Sequence, residues 1–208
     1  MFRAPWTLVA ICVVLIGLYA LQSAYLSNQE LARLALTPAA LEEGRWSTLF
    51  TALFLHASWA HVLLNSLAVI AFGPPVARLM GVGARGSLAF FAFYLVCGVL
   101  AGLGYVAVQP HDAAPVVGAS GAVSGLLGGA SRLIQRGGRL GPLLSSTVIG
   151  MGAAWVIVNV AMGVSGLTPG AAGVQVAWQA HLAGYAAGVL LVGAFARLAG
   201  ADPAAFTQ

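Results

Sequence analysis

Charged side chains are scarce in this sequence. Only 7% of its 208 residues are charged, against roughly 25% in an average soluble domain. Lysine does not occur, so the nine basic residues are all arginines, and they are scattered singly along the chain. A soluble globular domain is therefore excluded, and no basic cluster is present that could follow a nucleic-acid backbone.

Cysteine is almost as rare, and no metal-binding spacing occurs. Cys12 and Cys97 both lie inside apolar runs, without the polar surroundings that redox chemistry or metal binding needs. The four histidines form no His-Glu-x-x-His motif. The acidic residues all fall in expected loops or tails: Glu30, Glu42, Glu43, Asp112 and Asp202. We therefore expect no metal and no organic cofactor.

Apolar residues and glycine are abundant, with 60% hydrophobic residues and 27 glycines. A helix needs about 20 apolar residues to cross a bilayer core, and six runs of roughly this kind recur. They lie at about 6–26, 60–79, 87–108, 120–135, 143–164 and 177–198, with the fourth the shortest. The runs lack the alternation of a membrane β-barrel. We predict an all-α membrane protein: one domain over residues 1–208, built as a bundle of six transmembrane helices in a lipid bilayer.

The first run and the segment after it allow alternatives. A cleaved signal peptide is the alternative for the first run, but the apolar stretch exceeds the usual core of about 7–15 residues. Residues 27–45 are polar, whereas residues 46–55 are apolar and aromatic. We expect this second stretch to lie along the membrane interface, with Trp46 as an anchor.

The arginines predict the orientation in the membrane. With a cytoplasmic N-terminus, seven arginines lie inside and two, Arg33 and Arg45, lie outside. The seven are Arg3, Arg78, Arg85, Arg132, Arg136, Arg139 and Arg197. Both termini are then cytoplasmic, and the ends of spans two, four and six that carry polar residues face the outer side.

Ser120 is the first candidate for chemistry. It lies in Gly118-Ala119-Ser120-Gly121, at the predicted start of the fourth helix, where backbone N–H groups and the helix dipole favour a bound anion. The alternative is a packing face, because Gly121 opens a series of small residues at helical spacing.

His181 is the second candidate, because a serine hydroxyl needs a base near neutral pH. Gly184 and Gly188 lie on its side of the last span and would let a neighbouring helix approach. The alternative is a histidine that only makes structural hydrogen bonds. No Asp or Glu lies in a span beside His181, so we predict a Ser-His dyad whose imidazole is oriented by packing.

His61 and Asn65 lie one helical turn apart near the start of the second span. Two donors on one face could hold an oxyanion, and interhelical hydrogen bonding is the alternative. His56 lies five residues before His61 and would not share its face in a helix. We expect His56 to organise the outer loop.

The pattern His56-x4-His61-x3-Asn65, then Gly118-Ala119-Ser120-Gly121, then Ala180-His181-x2-Gly184-x3-Gly188, resembles the rhomboid family of intramembrane serine proteases. The resemblance implies a six-helix core, here a catalytic core over about residues 46–198. It implies Ser120 as nucleophile and His181 as general base, with His61, Asn65 and the Ser120 backbone N–H as oxyanion donors. Ser124 stands where some members carry a tyrosine that stacks on the catalytic histidine.

The expected function is hydrolysis of a peptide bond in or next to a transmembrane helix of another membrane protein. A membrane acyl hydrolase, a non-catalytic binder of client helices and a transporter are the alternatives, and no internal repeat supports the last. The absence of an appended domain or transit sequence favours a bacterial inner membrane. The fifth span is the expected point of substrate access, because Gly163, Gly166 and Gly170 follow one another near its outer end. Client, cleavage preference and oligomeric state stay open.

Overall fold

The protein is all-helical in a computed structural model that describes residues 5–166 and 176–202, without the side chain of Arg136. Arg3 and Gly170, which the orientation and access predictions use, lie outside these residues. The helices are α1 (Trp6–Tyr25), α2 (Asn28–Leu34), α3 (Pro38–Glu42), α4 (Thr48–Thr51), α5 (Trp59–Met80), α6 (Ala84–Val108), α7 (Ser120–Ser131), α8 (Ser146–Ser165) and α9 (Trp178–Ala199). Short 3₁₀ turns follow α4 and α7, at Ala52–Phe54 and Ile134–Arg136.

Five of these helices, α1, α5, α6, α8 and α9, have the length and apolarity of a membrane span. Their bounds lie within a few residues of the predicted runs. Long unbroken apolar sequence specifies such helices, because backbone groups in lipid must be paired within the helix.

The fourth predicted span is shorter than expected, because α7 has only 12 residues and ends at Ser131 rather than Gln135. At 1.5 Å per residue it extends about 18 Å, against a hydrocarbon core of about 30 Å. Every residue of α7 after Ser120 is buried, and α5, α6 and α9 surround it. A helix enclosed by protein does not have to match the thickness of the bilayer, which explains why so short a helix fits here.

Glycines bring α7 and α9 into backbone contact. A Cβ added at Gly184 would collide with the carbonyl oxygen of Gly121, and one at Gly188 would collide with that of Gly125. Small residues at helix interfaces in membranes permit this kind of approach. Gly121 therefore belongs to a packing face of α7. Gly184 and Gly188 let α9 approach that face closely.

The segment between α1 and α5 is folded over the bundle rather than lying flat along its edge. Trp46 and Phe50 are exposed, as expected for an interfacial segment, but Leu49 and Leu53 are buried. Leu49 and Leu53 approach α6 where it carries glycine instead of a larger side chain. One face of residues 46–55 therefore packs on the bundle and the other is exposed, and the location of the segment at the membrane interface stays a prediction.

Helix α8 is the most lightly buried of the five long helices. Of its 20 residues, only Val148 and Asn159 are buried. Ile157 and its neighbours Val156 and Val158 are exposed, which places a broad apolar face of α8 toward the lipid.

The glycine contact between α7 and α9 predicts a sharp difference between two alanine substitutions. Gly188→Ala should lower the melting temperature in detergent strongly, at a cost of about 1–3 kcal/mol or more, because its methyl group meets backbone that cannot move aside. Gly17→Ala in α1 is the control, since a Cβ there has nothing within 4 Å. It should be neutral or stabilise by about 0.5–1 kcal/mol, the usual cost of glycine within a helix. Equal melting temperatures for the two variants would contradict the backbone contact.

Candidate active site

The predicted catalytic and oxyanion residues line one cavity of about 480 Å³ between the helices, a volume in the range of small-molecule sites. Ser120, His181, His61 and Asn65 all contribute to its wall. The sequence separates these residues by more than a hundred positions, and the fold brings them together.

The helix starts explain this convergence. Ser120 is the first residue of α7, and His181 lies in the first turn of α9. His61 lies in the first turn of α5, where its backbone N–H donates to the Ser58 hydroxyl at 3.1 Å. Three helices thus begin at the same end of the bundle, and each carries one of these predicted residues near its N-terminus.

Ser120 and His181 are in direct contact. Ser120 Oγ lies 2.7 Å from Nε2 of His181, and the two atoms form a hydrogen bond. His181 is 9% exposed and Ser120 is half-buried. A hydroxyl held in this way on an imidazole nitrogen has the geometry of a nucleophile beside its base.

A third side chain completes the contact, and the sequence analysis missed it. Nδ1 of His181 lies 2.5 Å from Oδ1 of Asn159 on α8, and the two atoms form a hydrogen bond. This hydrogen bond corrects the prediction that packing alone orients the imidazole. Asn159 was not predicted, because only a carboxylate was considered as a partner of His181. Its signal in the sequence is an amide in the middle of an apolar span, where polar groups are costly.

Trp155, one turn before Asn159, packs on the imidazole. Its ring centroid lies 6.1 Å from that of His181, with 35° between the planes. Ser124 has a different contact, since its hydroxyl donates to the Ser120 carbonyl at 2.7 Å. The aromatic neighbour of His181 is therefore supplied by α8 and not by the residue at position 124.

His61, Asn65 and Gly118 form the opposite wall. Nδ1 of His61 accepts from the Ala57 N–H at 3.4 Å, so the ring proton lies on Nε2. Nδ2 of Asn65 is buried and has no protein partner in the part of the chain that the structure describes. Gly118 has φ +119°, and a Cβ there would lie 2.8 Å from Nε2 of His61, so both the backbone conformation and the close approach require glycine.

Comparison with known proteins identifies the family of this chain. The sequence model of the Rhomboid domain matches residues 43–198, well over half of the chain. The chain belongs to the rhomboid family. Together with five apolar helices of spanning length, this membership identifies an integral membrane protein.

Curated relatives match this rhomboid over part of their length. The putative rhomboid protease YdcA of Bacillus subtilis (strain 168) is 35% identical over 85 residues, which are 41% of this chain and 40% of the relative. Rhomboid protease GluP of the same organism is 34% identical over 88 residues, 42% of this chain and 16% of the relative. RHOMBOID-like protein 9, chloroplastic, of Arabidopsis thaliana is 36% identical over 85 residues, 41% of this chain and 18% of the relative. The matched segments thus span less than half of each relative.

The loop before Ser120 is fastened to the rest of this rhomboid at several points. Leu36 and Val116 exchange two backbone hydrogen bonds, and the Gly118 N–H donates to the Ala52 carbonyl at 2.8 Å. The Tyr105 hydroxyl donates to the Asp112 carboxylate at 2.6 Å. This bond, with one from the Ala114 N–H, lowers the pKa of Asp112. The segment between α1 and α5 therefore helps to fix the backbone that leads into Ser120.

His56 supports the site from outside the cavity. Its backbone exchanges hydrogen bonds with the side chain of Gln22 on α1, at 2.6 and 3.0 Å. Its ring stands edge-on to His61 with centroids 5.1 Å apart, and the residue is 1% exposed. These contacts tie α1 to the start of α5, in keeping with the organising role expected of His56.

Burial of His56 predicts acid sensitivity of the fold. Desolvation, and to a smaller extent the nearby His61, lowers the pKa of His56 to about 3, against about 6.5 in the unfolded chain. Below about pH 6.5 the unfolded chain takes up a proton that the folded chain does not, so stability falls as the pH drops. Between pH 7 and pH 5 the loss amounts to at most about 2 kcal/mol.

Melting temperatures in detergent at pH 7 and pH 5 test this prediction. His56→Phe keeps an aromatic ring at this position but cannot be protonated. Its melting temperature should therefore fall less between pH 7 and pH 5 than that of the unsubstituted protein. His56→Gln serves as a second variant without a titrating group. If both variants lose as much stability on acidification as the unsubstituted protein, His56 is not responsible.

Proposed function

We propose that this rhomboid is an intramembrane serine endopeptidase that cleaves peptide bonds in or next to transmembrane segments of other membrane proteins. The observation that carries the proposal is the contact between Ser120 Oγ and His181 Nε2 at 2.7 Å, on the wall of a cavity between apolar helices. A serine, a histidine and unpaired N–H donors around one space are the parts that acyl transfer requires.

In the proposed reaction, Ser120 Oγ attacks the scissile carbonyl carbon while its proton passes to Nε2 of His181. The tetrahedral intermediate collapses when the imidazolium returns this proton to the leaving amine. A water molecule then attacks the acyl-enzyme, with His181 again taking and returning the proton. This step restores the free Ser120 hydroxyl and releases the second product. The proposed reaction needs no metal and no organic cofactor.

The oxyanion of the intermediate needs donors aimed at its position. Nε2 of His61 carries a hydrogen, because Nδ1 already accepts from Ala57. Nδ2 of Asn65 is buried, and a buried donor without a partner is costly unless it serves a bound group. The N–H of Ser120 is a third candidate, since the first residue of a helix has no intrahelical acceptor. These three groups are the proposed oxyanion hole.

The proposed setting is a bacterial inner membrane, with both termini in the cytoplasm and the cavity open to the outer side. In this arrangement α7, the fourth of the six predicted spans, lies at the centre of the bundle. The proposed substrates are single-pass or polytopic membrane proteins. A helical segment hides its carbonyls in hydrogen bonds, so the scissile stretch has to unwind before Ser120 can attack it.

Two other functions are compatible with the fold. A non-catalytic binder of client helices would share the cavity, but it has no use for a hydroxyl held on an imidazole. A lipid acyl hydrolase would share the chemistry but not the substrate. Reaction with a fluorophosphonate probe separates the binder from the two enzymes, and a transmembrane reporter protein separates the protease from the lipid hydrolase.

Ser120→Ala should abolish labelling by the probe and cleavage of the reporter, by about 10⁴-fold or more. His181→Ala should have a similar effect, and the double variant should be no worse than either single one, because nucleophile and base act as a unit. Labelling that survives Ser120→Ala would refute the assigned nucleophile. Clear turnover by His181→Ala at neutral pH would refute the assigned base.

Asn65→Ala should lower kcat by about 10²–10³-fold with little change in KM, since an oxyanion donor acts mainly on the transition state. Kinetics on a soluble peptide ester and the melting temperature of the same sample provide the measurement. A variant that loses stability while its folded fraction turns over normally would assign Asn65 to helix packing instead.

A further inference from the structure

We infer that Asn159 is a positioning residue that holds the proton of His181 on Nδ1, so that Nε2 stays free to accept the proton of Ser120. This inference rests on the proposed function and deepens it. It extends the predicted pair of residues to a triad, with each of the three members on a different helix.

The hydrogen bonds of the Asn159 amide fix its orientation. Nδ2 donates to the Trp155 carbonyl at 2.8 Å, one turn earlier in α8. The other atom of the amide, Oδ1, therefore faces Nδ1 of His181. An amide rotated by 180° would place two oxygens against each other at Trp155, because a carbonyl oxygen cannot donate.

The orientation of the amide determines the tautomer of the imidazole. A neutral imidazole has one donor nitrogen and one acceptor nitrogen. Since Oδ1 only accepts, Nδ1 of His181 carries the hydrogen and Nε2 is the acceptor. Ser120 Oγ lies 2.7 Å from Nε2. The hydroxyl therefore donates to Nε2, which is the arrangement that proton abstraction requires. With the other tautomer, Nε2 would be a donor and could not act as the base.

Burial strengthens the case for Asn159. The residue is 0% exposed, and it is the single buried polar residue of α8. An amide in this position is costly unless its groups are paired, and both of its polar atoms are paired, one of them with the candidate base. A residue that served only helix packing would not need an acceptor aimed at a histidine.

The location of Asn159 gives α8 a part in catalysis. Helix α8 contacts α9 at Tyr185, whose hydroxyl donates to the Val148 carbonyl at 2.7 Å, and at His181 through Trp155 and Asn159. Most of its remaining surface is unburied. The helix that is packed most lightly thus orients the base, so α8 must be seated against α9 when Ser120 attacks.

The test combines a spectrum with kinetics. The ¹⁵N chemical shifts of the imidazole nitrogens, in protein labelled at histidine and held in detergent micelles, report the tautomer. The His181 signals are those missing from His181→Ala. The expected spectrum of the unsubstituted protein has the hydrogen of His181 on Nδ1. A spectrum with the hydrogen on Nε2 overturns the inference without any variant.

Asn159→Leu keeps the shape of the side chain and removes the acceptor. It should lose the Nδ1–H tautomer as the predominant form and lower kcat on a soluble peptide ester by about 10²-fold or more, with KM changed less than about twofold. Asn159→Asp restores an acceptor of the same size, so it should recover the Nδ1–H form and react at least about tenfold faster than Asn159→Leu. A Leu variant with the original tautomer and kcat overturns the inference, as does an Asp variant no better than Leu.

Tyr185→Phe is the matched control, because it removes a different hydrogen bond between α8 and α9. It should lower the melting temperature while leaving the tautomer and kcat unchanged. If it slows the reaction as much as Asn159→Leu, seating of α8 and not the orientation of His181 is responsible, and the inference fails. Labelling that survives Ser120→Ala would instead refute the proposed function, and the tautomer measurement would stand by itself.

Discussion

The backbone contact between α7 and α9 is the constraint on which the candidate site depends. Gly121 and Gly184 bring the two helices together without side chains between them. Ser120 immediately precedes Gly121, and His181 lies one turn before Gly184. The same contact therefore sets the distance between Oγ and Nε2, and any larger side chain in it would move the two atoms apart. Because Gly121 and Gly184 are both buried, the separation is held by close packing at this contact.

Around this contact, the parts of the fold have different mechanical roles. Helices α6, α7 and α9 form a close-packed centre, whereas α8 has only two buried residues. The segment between α1 and α5 holds the backbone before Ser120 through hydrogen bonds of Leu36 and Ala52. A rigid centre with a lightly held neighbour would suit the proposed peptidase, which has to admit a long peptide and still keep its reacting atoms aligned.

The apolar runs predicted five long helices closely, because in lipid the length and hydrophobicity of a segment nearly suffice to specify a helix. The same argument overestimated α7, since it assumed that every span faces lipid. Polar residues in spans pointed to Ser120, His181, His61 and Asn65, which line one cavity; their roles in catalysis stay predictions. Asn159 was missed, although it obeys the same rule, because an amide was not expected to partner the imidazole.

The sequence by itself determined the membrane class, the helices and the identity of the polar residues, since each of these depends on local composition and spacing. The tertiary structure alone decided which of those residues meet. The pairing of Nδ1 of His181 with Asn159 and the placement of Trp155 on the ring depend on how α8 lies against α9. No periodicity within either helix encodes that relation, because it arises from the fit of two surfaces distant in the chain.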